Sequence, residues 1–91
     1  MMVVAATGAK QLKVIILTPI RILGDGLHAC LSRRPEFCLL ATVSDLLTLR
    51  ETLKNAHVDL VLIDVTQGID LEEVRLIAME HPQLALIALG L

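Results

Sequence analysis

The chain predicts an α/β domain built as a doubly wound parallel sheet, running β-α-β-α-β-α-β. Three observations lead there. Short and almost continuous apolar runs, such as Asp59–Asp64 (DLVLID), read as strands buried on both faces. Between them, apolar residues recur at steps of 3 and 4, the period of a helix with one inward face. The connections are short and punctuated by Pro, Ser and Asp. Strand, helix and strand in alternation imply right-handed crossovers and parallel pairing.

The elements follow in order. Lys13–Thr18 (KVIILT) reads as the first strand. Ile22, Leu23, Leu27, Cys30 and Leu31 then fall on one helical face, and Pro35 closes that helix. Gly24 costs roughly 1 kcal/mol there relative to Ala and marks a late helix start. Cys38–Val43 (CLLATV) is the second strand. Ser44 or Asp45 caps a second helix that turns Leu46, Leu49 and Leu53 inward. Asp59–Asp64 is the third strand. Asp70-Leu71-Glu72-Glu73 is a D-x-x-E start, close to a capping box, with Leu71, Val74, Ile77 and Ala78 inward. His81-Pro82 ends that helix, and Leu84–Leu89 (LALIAL) is the fourth strand. The doubly wound rule gives the spatial order 2-1-3-4.

Composition sets the function classes. The 91 residues suffice for one small domain, 13–91, preceded by a mobile leader over 1–12. The content is 55% hydrophobic with Phe37 as the one aromatic, which suits an aliphatic α/β core. A net charge of −2 and a pI near 5.8 argue against direct binding to nucleic acid or an anionic membrane. Arg33-Arg34, the only basic pair, reads as a solvated helix end. The first nine residues lack a positive n-region and are too short to span a bilayer, so a cytoplasmic protein is expected. Cys30 and Cys38 are then expected as free, buried thiols. His28, His57 and His81 are scattered, with no zinc spacing. There is no nucleophile elbow, no Walker A and no G-x-G-x-x-G, so no enzyme is expected.

Asp64, at the carboxyl end of the third strand, is the candidate site residue, because ligands of open α/β sheets gather at those ends. The first strand ends in Leu17-Thr18-Pro19, with no acid. Thr18-Pro19 could serve a proline-directed kinase, but a strand running into helix N1 is the favoured reading. Asp25 reads as solvent-facing or capping, and Asp70 as a helix N-cap in preference to a metal ligand.

Several stretches carry a resemblance. Asp25-Gly26-Leu27, Arg34-Pro35-Glu36-Phe37, Val43-Ser44-Asp45, Asp59-Leu60-Val61-Leu62-Ile63-Asp64 and Glu80-His81-Pro82 with Leu86-Ile87-Ala88-Leu89 occur in sequence. They are similar to E-G-L, E-P-D-I, A-S-D, D-V-V-L-L-D and E-H-P…V-I-V-L. The set resembles the receiver domain of bacterial two-component response regulators, in the subfamily that precedes a LuxR/NarL-type helix-turn-helix domain. The likeness covers Lys13 to Leu91, about the first two-thirds of such a domain. It implies an incomplete flavodoxin-like (CheY-like) fold, with Asp64 at the phosphoacceptor position.

The departures decide the chemistry. Receivers place an acidic pair after strand one, where this chain has Thr18 and Pro19. They place Ser or Thr after strand four, where it has Gly90. The loop after Asp64 lacks the Met-Pro-Gly arrangement and is one residue short. Phosphoryl transfer to a carboxylate needs a divalent cation, and Mg²⁺ takes one or two carboxylates plus phosphate oxygens and waters. Thr18 offers a neutral hydroxyl and Pro19 nothing, so Asp64 reads as vestigial or structural, accepting backbone N–H bonds in its loop. No cofactor is expected, with Mg²⁺ entering only if Asp64 is phosphorylated.

The expected function is a pseudo-receiver, a regulatory domain independent of phosphorylation. It acts through protein–protein contact or dimerisation on an attached DNA-binding output domain that these 91 residues do not contain. A sensor kinase or another regulatory protein is a candidate partner. Apolar side chains on both faces of strand four, an edge, also predict a homo-oligomer. Two alternatives stand beside this reading. One is a phosphorylated receiver with unusual metal ligands. The other is a small flavodoxin-like enzyme or nucleotide-binding domain, which lacks a phosphate-cradling loop.

Overall fold

The structure, a computed structural model, describes residues 11–90. Residues 1–10 of the expected leader lie outside the described residues. Four strands and three helices alternate: β1 (Leu12–Leu17), α1 (Arg21–Ser32), β2 (Phe37–Val43), α2 (Leu46–Asn55), β3 (Leu60–Asp64), α3 (Leu71–Glu80) and β4 (Ala85–Leu89). All strands are parallel and the sheet order is β2-β1-β3-β4, the flavodoxin-like order that the sequence predicts.

Local signals set the helix starts. Asp45 accepts a hydrogen bond from the Thr48 N–H and caps α2. Asp70 accepts from the N–H groups of Glu72 and Glu73 and caps α3, with two acids in its first turn favouring the positive end of the helix dipole. The N-cap of α1 is Ile20, which has no capping side chain; its N–H instead reaches the Thr18 hydroxyl at 3.1 Å.

The sheet carries a core on each face. Ile15, Leu17, Val61 and Ile63 point to one side, where Leu49 of α2 and Ile77 of α3 cover them. Val14, Ile16 and Leu62 point to the other, with Leu27 and Leu31 of α1 packed against them. Both helices α2 and α3 lie on the first side, pinned to each other by Arg50, which reaches Glu73 at 3.0 Å and Glu80 at 2.7 Å. Over β4, Ile87 remains 47% exposed.

Four expectations change. Gly24 does not mark a late helix start, since α1 begins at Arg21. It is the buried residue of α1, and a Cβ there would meet the Thr42 side chain at 2.9 Å. Close approach of α1 to β2 therefore requires the glycine. The helix face centred on it runs Gly24, Leu27, Leu31, which turns Ile22, Leu23 and Cys30 outward. Leu71, expected inward, sits at the first residue of α3 and is exposed. The cysteines are free as expected but not buried: Cys30 is exposed and Cys38 is half-buried.

Candidate functional site

Three strand ends converge at the carboxyl edge of the sheet. β1 delivers Thr18, β3 delivers Asp64 and β4 delivers Gly90. Order β2-β1-β3-β4 makes β1 and β3 neighbours, so Thr18 and Asp64, 46 positions apart, come into contact. Both are buried, Thr18 at 4% and Asp64 at 2% exposure. They are the only buried polar or charged residues among the described ones.

The Asp64 carboxylate accepts three hydrogen bonds from its own chain. Oδ2 accepts a hydrogen bond from the Thr18 hydroxyl at 2.8 Å. Oδ1 accepts two, from the Thr66 N–H at 2.9 Å and the Thr66 hydroxyl at 2.5 Å. The pair Asp64 and Thr66 forms an Asx-type turn, in which an Asp side chain bonds its own backbone two residues on. The Thr66 hydroxyl, then its backbone N–H, hold the carboxyl below the usual carboxylate range; burial opposes them and the Thr18 hydroxyl adds to them. No buried polar side-chain atom among the described residues lacks a partner.

A shallow depression of about 280 Å³ opens beside these groups, between β1, the start of α2 and the β3–α3 loop. Leu17, Pro19, Leu46 and Ile69 line it, with Asp45, Asp64 and Asp70 at its acidic positions. Asp45 and Asp70 are the caps of α2 and α3. The Thr48 backbone and side chain hold the Asp45 carboxyl low.

Asp64 meets no carboxylate at the end of β1. The Thr18 hydroxyl donates a hydrogen bond to Asp64, and Pro19 is an exposed residue between β1 and the N-cap of α1. Both Asp64 oxygens already accept hydrogen bonds. Among the described residues no three His, Cys, Asp or Glu side chains gather as a metal site. Asp45 and Asp70, the other acids at the depression, each commit an oxygen to a helix cap.

Gly90 lies at the end of β4 with φ +90°, in the region that L side chains avoid. It brings no hydroxyl to Asp64. The hydroxyl near Asp64 Oδ1 comes from Thr66, a residue that sequence reasoning missed. Its signal was present as Asp-x-Thr directly after a strand, the spacing of an Asx turn. Asp25 is exposed on α1 and caps nothing. Among the described residues, no helix is long and apolar enough to cross a membrane. No family model, curated protein or solved structure matches the chain.

Proposed function

We propose that this chain is a receiver-like regulatory domain of the two-component type whose acceptor carboxylate serves as an internal structural anchor. One observation carries the reading. The acid at the end of β3 sits where a receiver would be phosphorylated, yet Thr18 and Thr66 occupy both of its oxygens. An incoming phosphoryl group would need one of those oxygens as nucleophile and a cation beside it to neutralise charge. The first is hydrogen-bonded and the second has a neutral hydroxyl and a proline where carboxylates would be required.

On this reading the domain is not an enzyme and uses no cofactor. Regulation passes through protein contacts, with a sensor kinase or another regulatory protein as partner and a DNA-binding output domain as target. A second copy is the partner that the fold favours. Among the described residues β4 is an edge strand, and Ile87 leaves apolar surface open to water. Each Å² of apolar surface removed from water contributes roughly 25 cal/mol, and an isologous dimer is the commonest closed assembly.

The test is chemical. The protein is incubated with Mg²⁺ and acetyl phosphate, or with beryllofluoride, and followed by intact mass and fluorine NMR. The expected result is no adduct. A stoichiometric adduct on Asp64 would return the domain to the phosphorylated receivers and overturn the proposal.

A further inference from the structure

The geometry points to Gly90 as a positioning residue. A bare, positive-φ position at the end of β4 seats the methyl of Thr66, and that seat places the Thr66 hydroxyl on Asp64. The inference rests on the reading of Asp64 as an internal anchor and adds what sets the anchor.

The observations are steric. A Cβ built on Gly90 would collide with the Thr66 Cγ2, and its next neighbours within 4 Å are Asp64 Oδ1 and Thr66 Cβ, each at 3.7 Å. The space that any other residue would fill at position 90 is thus the space in which Thr66 stands. Thr66 has little alternative placement while it serves Asp64, because its N–H and its hydroxyl both reach the same oxygen. The backbone completes the connection: the Val65 N–H donates to the Leu89 carbonyl at 3.1 Å. The loop after β3 and the end of β4 therefore meet at three points, namely a backbone bond, a methyl seat and a shared carboxylate neighbour.

This accounts for a pairing that looks unrelated in sequence. A hydroxyl bonded to the acid at the end of β3 is supplied from Thr66, and the residue at the end of β4 carries no side chain that would exclude it. The two loops act as one unit. The contact joins the edge strand β4 to the surroundings of Asp64. That supplies a route between the candidate site and the apolar edge where a partner would bind.

The roles of methyl and hydroxyl separate by substitution. Thr66→Ser removes Cγ2 and keeps the hydroxyl. Gly90→Ala adds the colliding Cβ. The double variant T66S/G90A removes the Cγ2 obstacle and keeps the backbone strain of a side chain at φ +90°. Amide hydrogen exchange of the full chain by NMR reads the result at the Thr66 N–H, which is bonded to Asp64 in the wild type. Gly90→Ala should speed exchange at Thr66 by at least about tenfold, the loss of one hydrogen bond to a charged group, and leave the Leu49 and Ile77 amides unchanged. Thr66→Ser should exchange as the wild type does, and the double variant, which keeps the strain at φ +90°, should recover part of the protection. Unchanged exchange in Gly90→Ala would overturn the inference, and so would a double variant as fast as Gly90→Ala alone. A measurement on the wild type keeps the inference testable if Gly90→Ala does not fold. An NOE between the Thr66 methyl and the Gly90 α-protons is expected, and its absence is equally fatal. None of these outcomes depends on phosphorylation, so the inference and the proposed function can fail separately.

Discussion

Replacing Thr18 by Val tests the site most directly. Valine keeps the shape of threonine and removes only the hydroxyl. Thr18 is 4% exposed, so water cannot take the place of what is lost. Its hydroxyl donates to Asp64 Oδ2 at 2.8 Å and accepts from the Ile20 N–H at 3.1 Å, the first turn of α1. A net hydrogen bond is worth about 1 kcal/mol, more when one partner is charged, and a buried group left unpaired costs about 1–3 kcal/mol. Removing the Thr18 hydroxyl should then cost roughly 2–4 kcal/mol, which for a domain of this size lowers Tm by roughly 8–30 °C. Urea unfolding followed by circular dichroism at pH 7 measures it, with an unchanged slope required for a clean comparison. The pH dependence supplies a second reading. The folded Asp64 carboxyl is held below its unfolded value, first by the Thr66 hydroxyl. The stability it contributes is therefore present above the unfolded value, near 3.9, and is lost as pH falls through the folded value. That acid loss should persist in Thr18→Val and shrink further in Thr66→Val, because Thr66 contributes more of the lowering. A change below about 0.5 kcal/mol in Thr18→Val would show that the Thr18 hydroxyl does not hold the site and would refute the argument.

Other consequences are measurable. Asp64→Asn should leave regulation in a reporter assay nearly unchanged, because an amide oxygen still accepts both Thr66 bonds and the amide N–H can meet the Thr18 hydroxyl; complete loss of regulation in a folded variant would point to phosphorylation. Leu49→Ala should destabilise by about 2–5 kcal/mol in the same urea assay, since Leu49 is fully buried between α2 and the sheet. Light scattering at micromolar concentration should give a mass above the monomer. Ile87→Lys should restore the monomer while circular dichroism stays native, because a charge at a 47% exposed position repels a second copy more than it harms the fold. A wild-type monomer at that concentration would remove the second copy as partner.

Much of this fold was legible because it rests on local rules. Apolar runs marked the strands, and the doubly wound rule ordered them 2-1-3-4 before any contact was known. Asp45 and Asp70 announced two helix starts, since a cap requires only a short polar side chain ahead of an apolar face. Asp64 could be placed at a strand end from its position in one such run. What Thr18, Pro19 and Gly90 cannot supply was likewise a matter of residue type, as a proline can hold no cation and a glycine can donate no hydroxyl.

Tertiary structure decided what those residues do. Helical period alone placed Ile22 and Cys30 on the inward face of α1, but the helix rolls onto Gly24 because the missing Cβ lets its backbone approach Thr42. Periodicity counts apolar residues and is blind to a glycine that works by absence. Thr18 was readable as a neutral hydroxyl at a strand end and not as the donor to Asp64, because its partner lies 46 residues away and meets it only when β1 and β3 pair. Thr66 and Gly90 are separated by a helix and a strand, and their contact exists only because both loops end at one edge of a parallel sheet. Propensity and pattern act over a few residues. Steric fit and the pairing of a buried carboxylate act between strand ends, and the fold alone brings those ends together.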